Sequence, residues 1–180
     1  MSKNVLVIST SFRHGGNSEM LADEFVRGAQ DAGNHVEKVV LYDKTFSFCK
    51  GCLACQKTHR CVIRDDANAI VQKMQQADVI AFATPVYYYE MSGQMKTMLD
   101  RSNPLFGSEY MFRDIYLLAT AADNSEKAMD GAITGLKGWI SCFEKANLKG
   151  VVRGVGACDM GDIRKAPETL EAAYTMGRNV

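Results

Sequence analysis

Four cysteines stand close together in the stretch CKGCLACQKTHRC, spaced C-x2-C-x2-C-x5-C from Cys49 through Cys52 and Cys55 to Cys61. Thiolates at such spacing are ligands for soft metals and iron–sulfur clusters. In the compact run C-x2-C-x2-C-x3-C the last cysteine reaches a different cluster. The longer x5 spacer leaves slack for the fourth thiolate to fold back, so one [4Fe-4S] cluster is sterically allowed. Other readings stay open: zinc, which prefers two separated pairs of ligands; a transient disulfide; and a metal-free loop whose cysteines pack or sit beside another cofactor. Of the two remaining cysteines, Cys142 falls in an apolar helical pattern and reads as core, and Cys158 is assigned no role.

A second chemical signal is TSFRHGGNSE. Hydroxyls at Thr10, Ser11 and Ser18, the Arg13 guanidinium and the flexible Gly15–Gly16 backbone lead into a helical pattern. Backbone N–H groups at a helix start bind anions, and a guanidinium adds charge-assisted bonds to phosphate. The stretch lacks both the G-x-G-x-x-G dinucleotide fingerprint and a Gly-Lys-Ser/Thr ending, which points to a monophosphate. The plainer alternative is that Asn17 or Ser18 only caps the helix. A third signal is TPVYYYEMSGQMKTMLDR, where Pro85 is expected to end a strand and start a turn that displays Val86 and three tyrosines, a platform for a flat heteroaromatic ring. Packing of one or two of these tyrosines in a core or subunit interface is the competing explanation. The small residues of TAADNSEK would let a ring or sugar approach the backbone.

These stretches need a scaffold. The runs NVLVIST, HVEKVVLY, DVIAFAT, IYLLATA and GVVRGVGA read as strands buried on both faces. Helical patterns alternate with them, in NSEMLADEFVRGAQDAG closing on Gly33, DDANAIVQKMQQA, SGQMKTMLDRS, SEKAMDGAITGLKGWISCFEKA and APETLEAAYTMG. Alternation of this kind predicts right-handed βαβ units in an α/β fold. A doubly wound, five-stranded parallel sheet of flavodoxin-like order 2-1-3-4-5, with helices on both faces, suits it better than a barrel. The 180 residues are expected to form one domain, with an irregular cysteine-rich loop at 43–65. Ligands of such sheets sit outside the carboxyl ends of the strands, where the three loops lie.

Composition narrows the function further. Equal numbers of basic and acidic residues, 21 each, provide no broad positive field, so nucleic acid is not an expected partner. The start MSKNVLVISTSF does not read as a signal peptide, and no apolar stretch is long enough to span a membrane. A cytoplasmic protein is expected, with its six cysteines as thiols or ligands.

Together, ISTSFRHGGNSEML and TPVYYYEMSGQMKTMLDR resemble the two ligand loops of the NAD(P)H-dependent FMN reductases, and the cysteine run followed by VIRDD looks like the branch called iron-sulfur flavoproteins. The likeness runs from residue 3 to about residue 122 and thins beyond it. It implies that Ser11, Arg13, Asn17 and Ser18 hold the FMN phosphate, and that Pro85, Val86, Tyr87 and Tyr88 border the flavin ring. It also implies that Thr120, Ala121 and Ala122 close the third side, and that Cys49, Cys52, Cys55 and Cys61 ligate a [4Fe-4S] cluster. Thr10 stands where many relatives of that family have glycine. Tyrosine phosphatases of related fold place a catalytic cysteine in the loop after the first strand; here that loop has none.

The resemblance further implies an oxidoreductase in which NAD(P)H reduces FMN and a small acceptor (quinone, free flavin, nitroaromatic) or a redox protein then takes the electrons. The flavin carries that chemistry, so no catalytic acid or base is sought. An electron carrier between protein partners and a redox sensor working through the cysteine loop are the alternatives. By analogy a homodimer or higher homo-oligomer is expected, with Tyr87–Met91 as the candidate contact.

Overall fold

A computed structural model describes residues 2–180. Five parallel strands form its main sheet: β1 (Asn4–Ser9), β2 (His35–Val40), β3 (Val79–Tyr87), β5 (Asp114–Thr120) and β6 (Asn147–Gly154), in the order β2-β1-β3-β5-β6. The two-residue strand β4 (Glu90–Met91) lies off this path and pairs antiparallel with the end of β3. Leaving that hairpin aside, the spatial order is the expected 2-1-3-4-5. Val5 to Ile8 and Val79 to Ala83 are buried on both faces, which is why these strands read as continuous apolar runs.

Helices α1 (Asn17–Asp31) and α6 (Pro167–Arg178) cover one face; α3 (Asp66–Gln76), α4 (Gly93–Arg101) and α5 (Asp130–Ile140) cover the other. A single short helical turn, α2 (Cys55–Thr58), interrupts the cysteine loop. One core cluster gathers Phe25, Leu21, Val7 and Leu118 beneath α1; the other gathers Phe82, Met95, Phe112 and Leu136 beneath α3 to α5.

Two expectations are corrected. Pro85 does not end β3: the strand runs on through Val86 to Tyr87, with Pro85 opposite Thr120 of β5. On its other side β1 has already ended, Ser9 lying opposite Ala83, so beyond that point β3 has an open edge where a missing N–H breaks no ladder. The turn falls at Tyr88–Tyr89 instead. The helical pattern read over 125–146 is a 3-10 turn at Glu126–Met129 followed by α5, which stops at Ile140. Cys142 therefore lies past the helix and is exposed, not core.

Candidate functional site

Helix α1 starts without a side-chain cap, because the residue before it is Gly16. A Cβ there would stand 2.8 Å from Ser11 Oγ and 3.0 Å from the Arg13 carbonyl oxygen, so a larger residue would force this turn to shift. Ser11 Oγ accepts from the Arg13 N–H at 3.1 Å and shapes that turn. The first backbone bond across the helix start is from Met20 N–H to Gly16 O, which leaves the N–H groups of Asn17, Ser18 and Glu19 pointing out of the helix end. All three residues are buried, and Ser18 Oγ is buried without any partner. Ser9 Oγ, at the end of β1, is orphaned in the same way. Buried hydroxyls are seldom left unpaired, and the Ser18 hydroxyl on the first turn of α1, together with its unpaired N–H groups, makes this helix start a candidate anion cradle.

Thr10, which replaces a glycine of the expected pattern, turns inward. Its hydroxyl donates to Ala83 O at 3.0 Å and lies 3.0 Å from Ser92 Oγ, while Ser92 N–H donates to Thr84 Oγ1. This buried chain of hydroxyls locks the first loop to the second. Glu19 accepts from Gly15 N–H at 2.8 Å and from Lys38 Nζ at 3.3 Å, fixing the glycine turn.

Asn17 is fully occupied as a structural bracket. Its Nδ2 donates to Ala157 O and Asp159 O, and its Oδ1 accepts from the N–H groups of Gly161 and Ile163. What Asn17 still offers a ligand is backbone. The bracket draws the segment after β6 across the carboxyl edge of the sheet, where Arg13 Nη1 also donates to Cys158 O at 3.3 Å. Sequence reading missed this strap; the turn-rich GACDMGD after the last strand is the signal that marks it.

The other expected positions lie on the same edge. Pro85 and Val86 are half-buried, Tyr87 is largely exposed and Tyr88 fully so. Thr120 and Ala121 are buried and Ala122 is exposed; Ala121 N–H donates to Gly154 O, and its carbonyl accepts from Ala157 N–H, tying the third loop to the strap. The ends of β1, β3 and β5 thus lie side by side at the carboxyl edge of the sheet, at the switch in strand order.

The cysteine loop is anchored at its neck by Arg101, whose side chain is buried. Arg101 Nη1 donates to Ser47 O and to Asp65 Oδ2, each at 2.7 Å, and Nη2 donates to Asp65 Oδ1 at 2.8 Å and to Ile63 O at 3.3 Å. One cation therefore joins both ends of the loop, as in an Ω-loop. Burial raises the Asp65 carboxyl, but Arg101 and the N–H groups of Ser47 and Ala67 outweigh it and hold the group below its ordinary value. Within the loop, Cys49, Cys52, Cys55 and Cys61 line one cavity of about 470 Å³ with Phe106, Trp139 and Cys142. Asn103 Nδ2 donates to the buried Cys55 Sγ at 3.0 Å. All six cysteines are free thiols, and among the described residues no three Cys, His, Asp or Glu side chains stand close enough together to hold a metal ion. No described helix is long and apolar enough to cross a membrane.

Solved structures with this architecture include an NAD(P)H:quinone oxidoreductase from Methanothermobacter marburgensis, with TM-score 0.73 and 17% identity over 99% of both chains. An azoreductase from Bacillus anthracis gives TM-score 0.75 at 16% identity over 100% of both. At these identities they speak to fold alone. Among curated proteins, an iron-sulfur flavoprotein of Methanocaldococcus jannaschii is 39% identical over 56% of this chain and 52% of its own length. A Bacillus subtilis protein named as an NAD(P)H-dependent FMN-containing oxidoreductase is 29% identical over 94% of this chain and 93% of its own. The chain spans about half the length of the iron-sulfur flavoproteins it matches. The family profile described as NADPH-dependent FMN reductase matches residues 3–152, which include the anion cradle, the Pro85–Tyr88 segment and the third loop, and the chain belongs to that family.

Proposed function

We propose that this protein is an FMN-dependent oxidoreductase that passes electrons from NAD(P)H through bound FMN to a small acceptor such as a quinone or a flavin. The observation that carries this is the start of α1: buried N–H groups, the orphaned Ser18 hydroxyl and a tight Gly16 turn fit a phosphate monoester. In this reading Ser11, Ser18 and the Asn17 backbone hold the phosphate, and Arg13 adds charge from the rim. Pro85, Val86, Tyr87 and Tyr88 border the ring, and Thr120, Ala121 and Ala122 let it lie close to backbone. When bound, FMN supplies two-electron acceptance from a nicotinamide and delivery in one- or two-electron steps.

The chain's own contribution is to bind and orient. The hydrogen bonds from Thr10 to Ser92 Oγ and from Ser92 N–H to Thr84 Oγ1 fix the distance between the phosphate loop and the ring loop, and the Asn17 bracket holds the strap against the cradle. A homodimer covering the open side of the site belongs to the proposal, supported by the exposed Phe12 and Tyr87 at its rim. A cytoplasmic setting, supported by the free thiols, belongs to it as well. The test is FMN titration followed by anaerobic reduction with NADH and NADPH. Micromolar or tighter FMN binding with pyridine nucleotide oxidation is expected; a chain that takes up no FMN would refute the reading.

The shared cysteine cavity favours one addition, a [4Fe-4S] cluster on Cys49, Cys52, Cys55 and Cys61, in keeping with the names of several relatives. Cys55 is already seated by Asn103, and the exposed Cys49 and Cys52 would have to draw inward on binding. Protein purified without oxygen should then contain about four irons and acid-labile sulfide per chain; iron-free protein with full flavin content would remove the cluster and keep the reductase.

A further inference from the structure

The chain as a whole balances its charges, yet residues 44–64 hold five lysines and arginines and no aspartate or glutamate. Lys44 pairs with Asp43, just before this stretch. The acids just after it are engaged elsewhere: Asp65 holds Arg101, and Asp66 accepts from the Thr45 N–H. Among the described residues, Arg60 and Arg64 have no ion pair and no side-chain hydrogen bond, whereas Arg27, Arg101 and Arg153 each hold a carboxylate.

Both unpaired arginines line one cleft of about 770 Å³, within the size range of small-molecule sites. It shares no lining residue with the α1 cradle or with the loops after β3 and β5. Asn68, Val71, Gln72 and Gln75 of α3 also line it, three and four residues apart and so on one face of that helix. Val71 and Leu105 are buried and supply apolar surface, Val62 adds more from the loop, and no acidic residue lines the cleft. The arginine-bearing wall is braced at three points. Thr58 Oγ1 donates to Arg60 O at 2.9 Å, Asn68 Nδ2 to Cys61 O at 3.3 Å, and Arg101 Nη2 to Ile63 O at 3.3 Å. The backbone that carries both guanidinium groups is therefore set in advance, which lowers the ordering cost of binding.

We propose that this cleft binds a small organic anion, with its phosphate or carboxylate head on Arg60 and Arg64 and its apolar body against Val62, Val71 and Leu105. Guanidinium groups pair with either head through parallel N–H bonds. The free carboxamide of Gln72 can donate or accept without adding charge. Cys61 lines both this cleft and the cysteine cavity, so an occupant braces the same loop from its other side. The assignment is independent of the reductase reading.

The experiment is calorimetric titration of FMN-saturated protein, its α1 cradle filled, with two matched pairs of probes: phenyl phosphate against inorganic phosphate, and benzoate against acetate. Wild type, the double variant Arg60→Gln/Arg64→Gln and Lys57→Gln are compared. The aromatic member of at least one pair should bind wild type with Kd below about 10 mM and at least about threefold more tightly than its ring-free partner; the pair that does so identifies the head. The double variant should weaken that binding by about tenfold or more. Lys57, an exposed cation of the same loop outside the cleft, should shift it less than about twofold on replacement. Saturating probe should also slow tryptic cleavage after Arg60 and Arg64. Since both arginines are exposed, the double variant should melt within about 1 °C of wild type. No aromatic probe bound by wild type, or binding unchanged in the double variant, would overturn the proposal. Equal losses in Lys57→Gln would overturn it as diffuse charge, and ring-free probes binding as tightly as aromatic ones would reduce it to an adventitious ion only. A chain that takes up no FMN would sink the reductase reading alone, because the double variant leaves the α1 cradle untouched and still decides where the probe sits.

Discussion

Replacing Arg101 by methionine tests whether the cysteine loop is held by a single buried cation. Arg101 is 1% exposed and its guanidinium bonds Ser47 O, Ile63 O and both oxygens of Asp65, so truncation strands a carboxylate and two loop carbonyls at once. Breaking a buried pair by removing one partner costs about 3–5 kcal/mol. Asp65 keeps the N–H donors of Ser47 and Ala67, and Arg101 Nε already lacks a partner, so the lower end applies, about 3 kcal/mol. Urea unfolding measures this directly. A second readout separates the loop from the core: Lys50, Lys57 and Arg60 lie between the clamped ends, so trypsin should nick Arg101→Met in that stretch well before it degrades the remainder. Adding Asp65→Asn to Arg101→Met should recover part of the loss, because it removes the stranded charge. Destabilisation below about 1 kcal/mol with unchanged nicking would show that the loop is held by other contacts and would refute the clamp.

Other perturbations act on the remaining parts of the site. Gly16→Ala puts a methyl within 2.8 Å of Ser11 Oγ and should weaken FMN binding about tenfold or more with little loss of secondary structure, read by flavin fluorescence titration. Asn17→Ala removes four hydrogen bonds to the strap and should cost about 2–4 kcal/mol, with faster amide exchange over 157–163 as its local signature. Asp65 has a folded pKa below its unfolded one; its contribution is therefore complete above the ordinary carboxylate range and is lost as pH falls through the lower folded value. Wild type should accordingly lose stability on acidification below about pH 4, and Asp65→Asn should flatten that part of the curve. Cys142→Ser should leave the melting temperature within about 1 °C of wild type, since the thiol is exposed; a larger fall would restore the core assignment read from its helical pattern.

The strands, the alternating helices and the position of both candidate loops at the carboxyl edge of the sheet were legible in the sequence because each is written in local periodicity and in residue types clustered within one turn. Val5–Ile8 is apolar at every position since helices cover both faces of β1, and the serine, arginine and glycine of the first loop need only a helix start to become a cradle. Long-range neighbours decided the rest. Pro85 stays in its strand because β1 ends beside Ala83, and the turn then falls on two tyrosines that no local preference would choose. Asn17, expected at a phosphate, spends its side chain on a strap arriving from beyond β6, and Arg101, given no role in its helical pattern, closes a loop whose ends lie far away in sequence. Spacing alone permitted the four loop cysteines to meet; only the packing of α5 brought Cys142 to the same cavity. Hydrophobic period reports which face of an element is buried, whereas hydrogen-bond partners and clashes depend on what the completed sheet brings alongside, and that is set by tertiary structure.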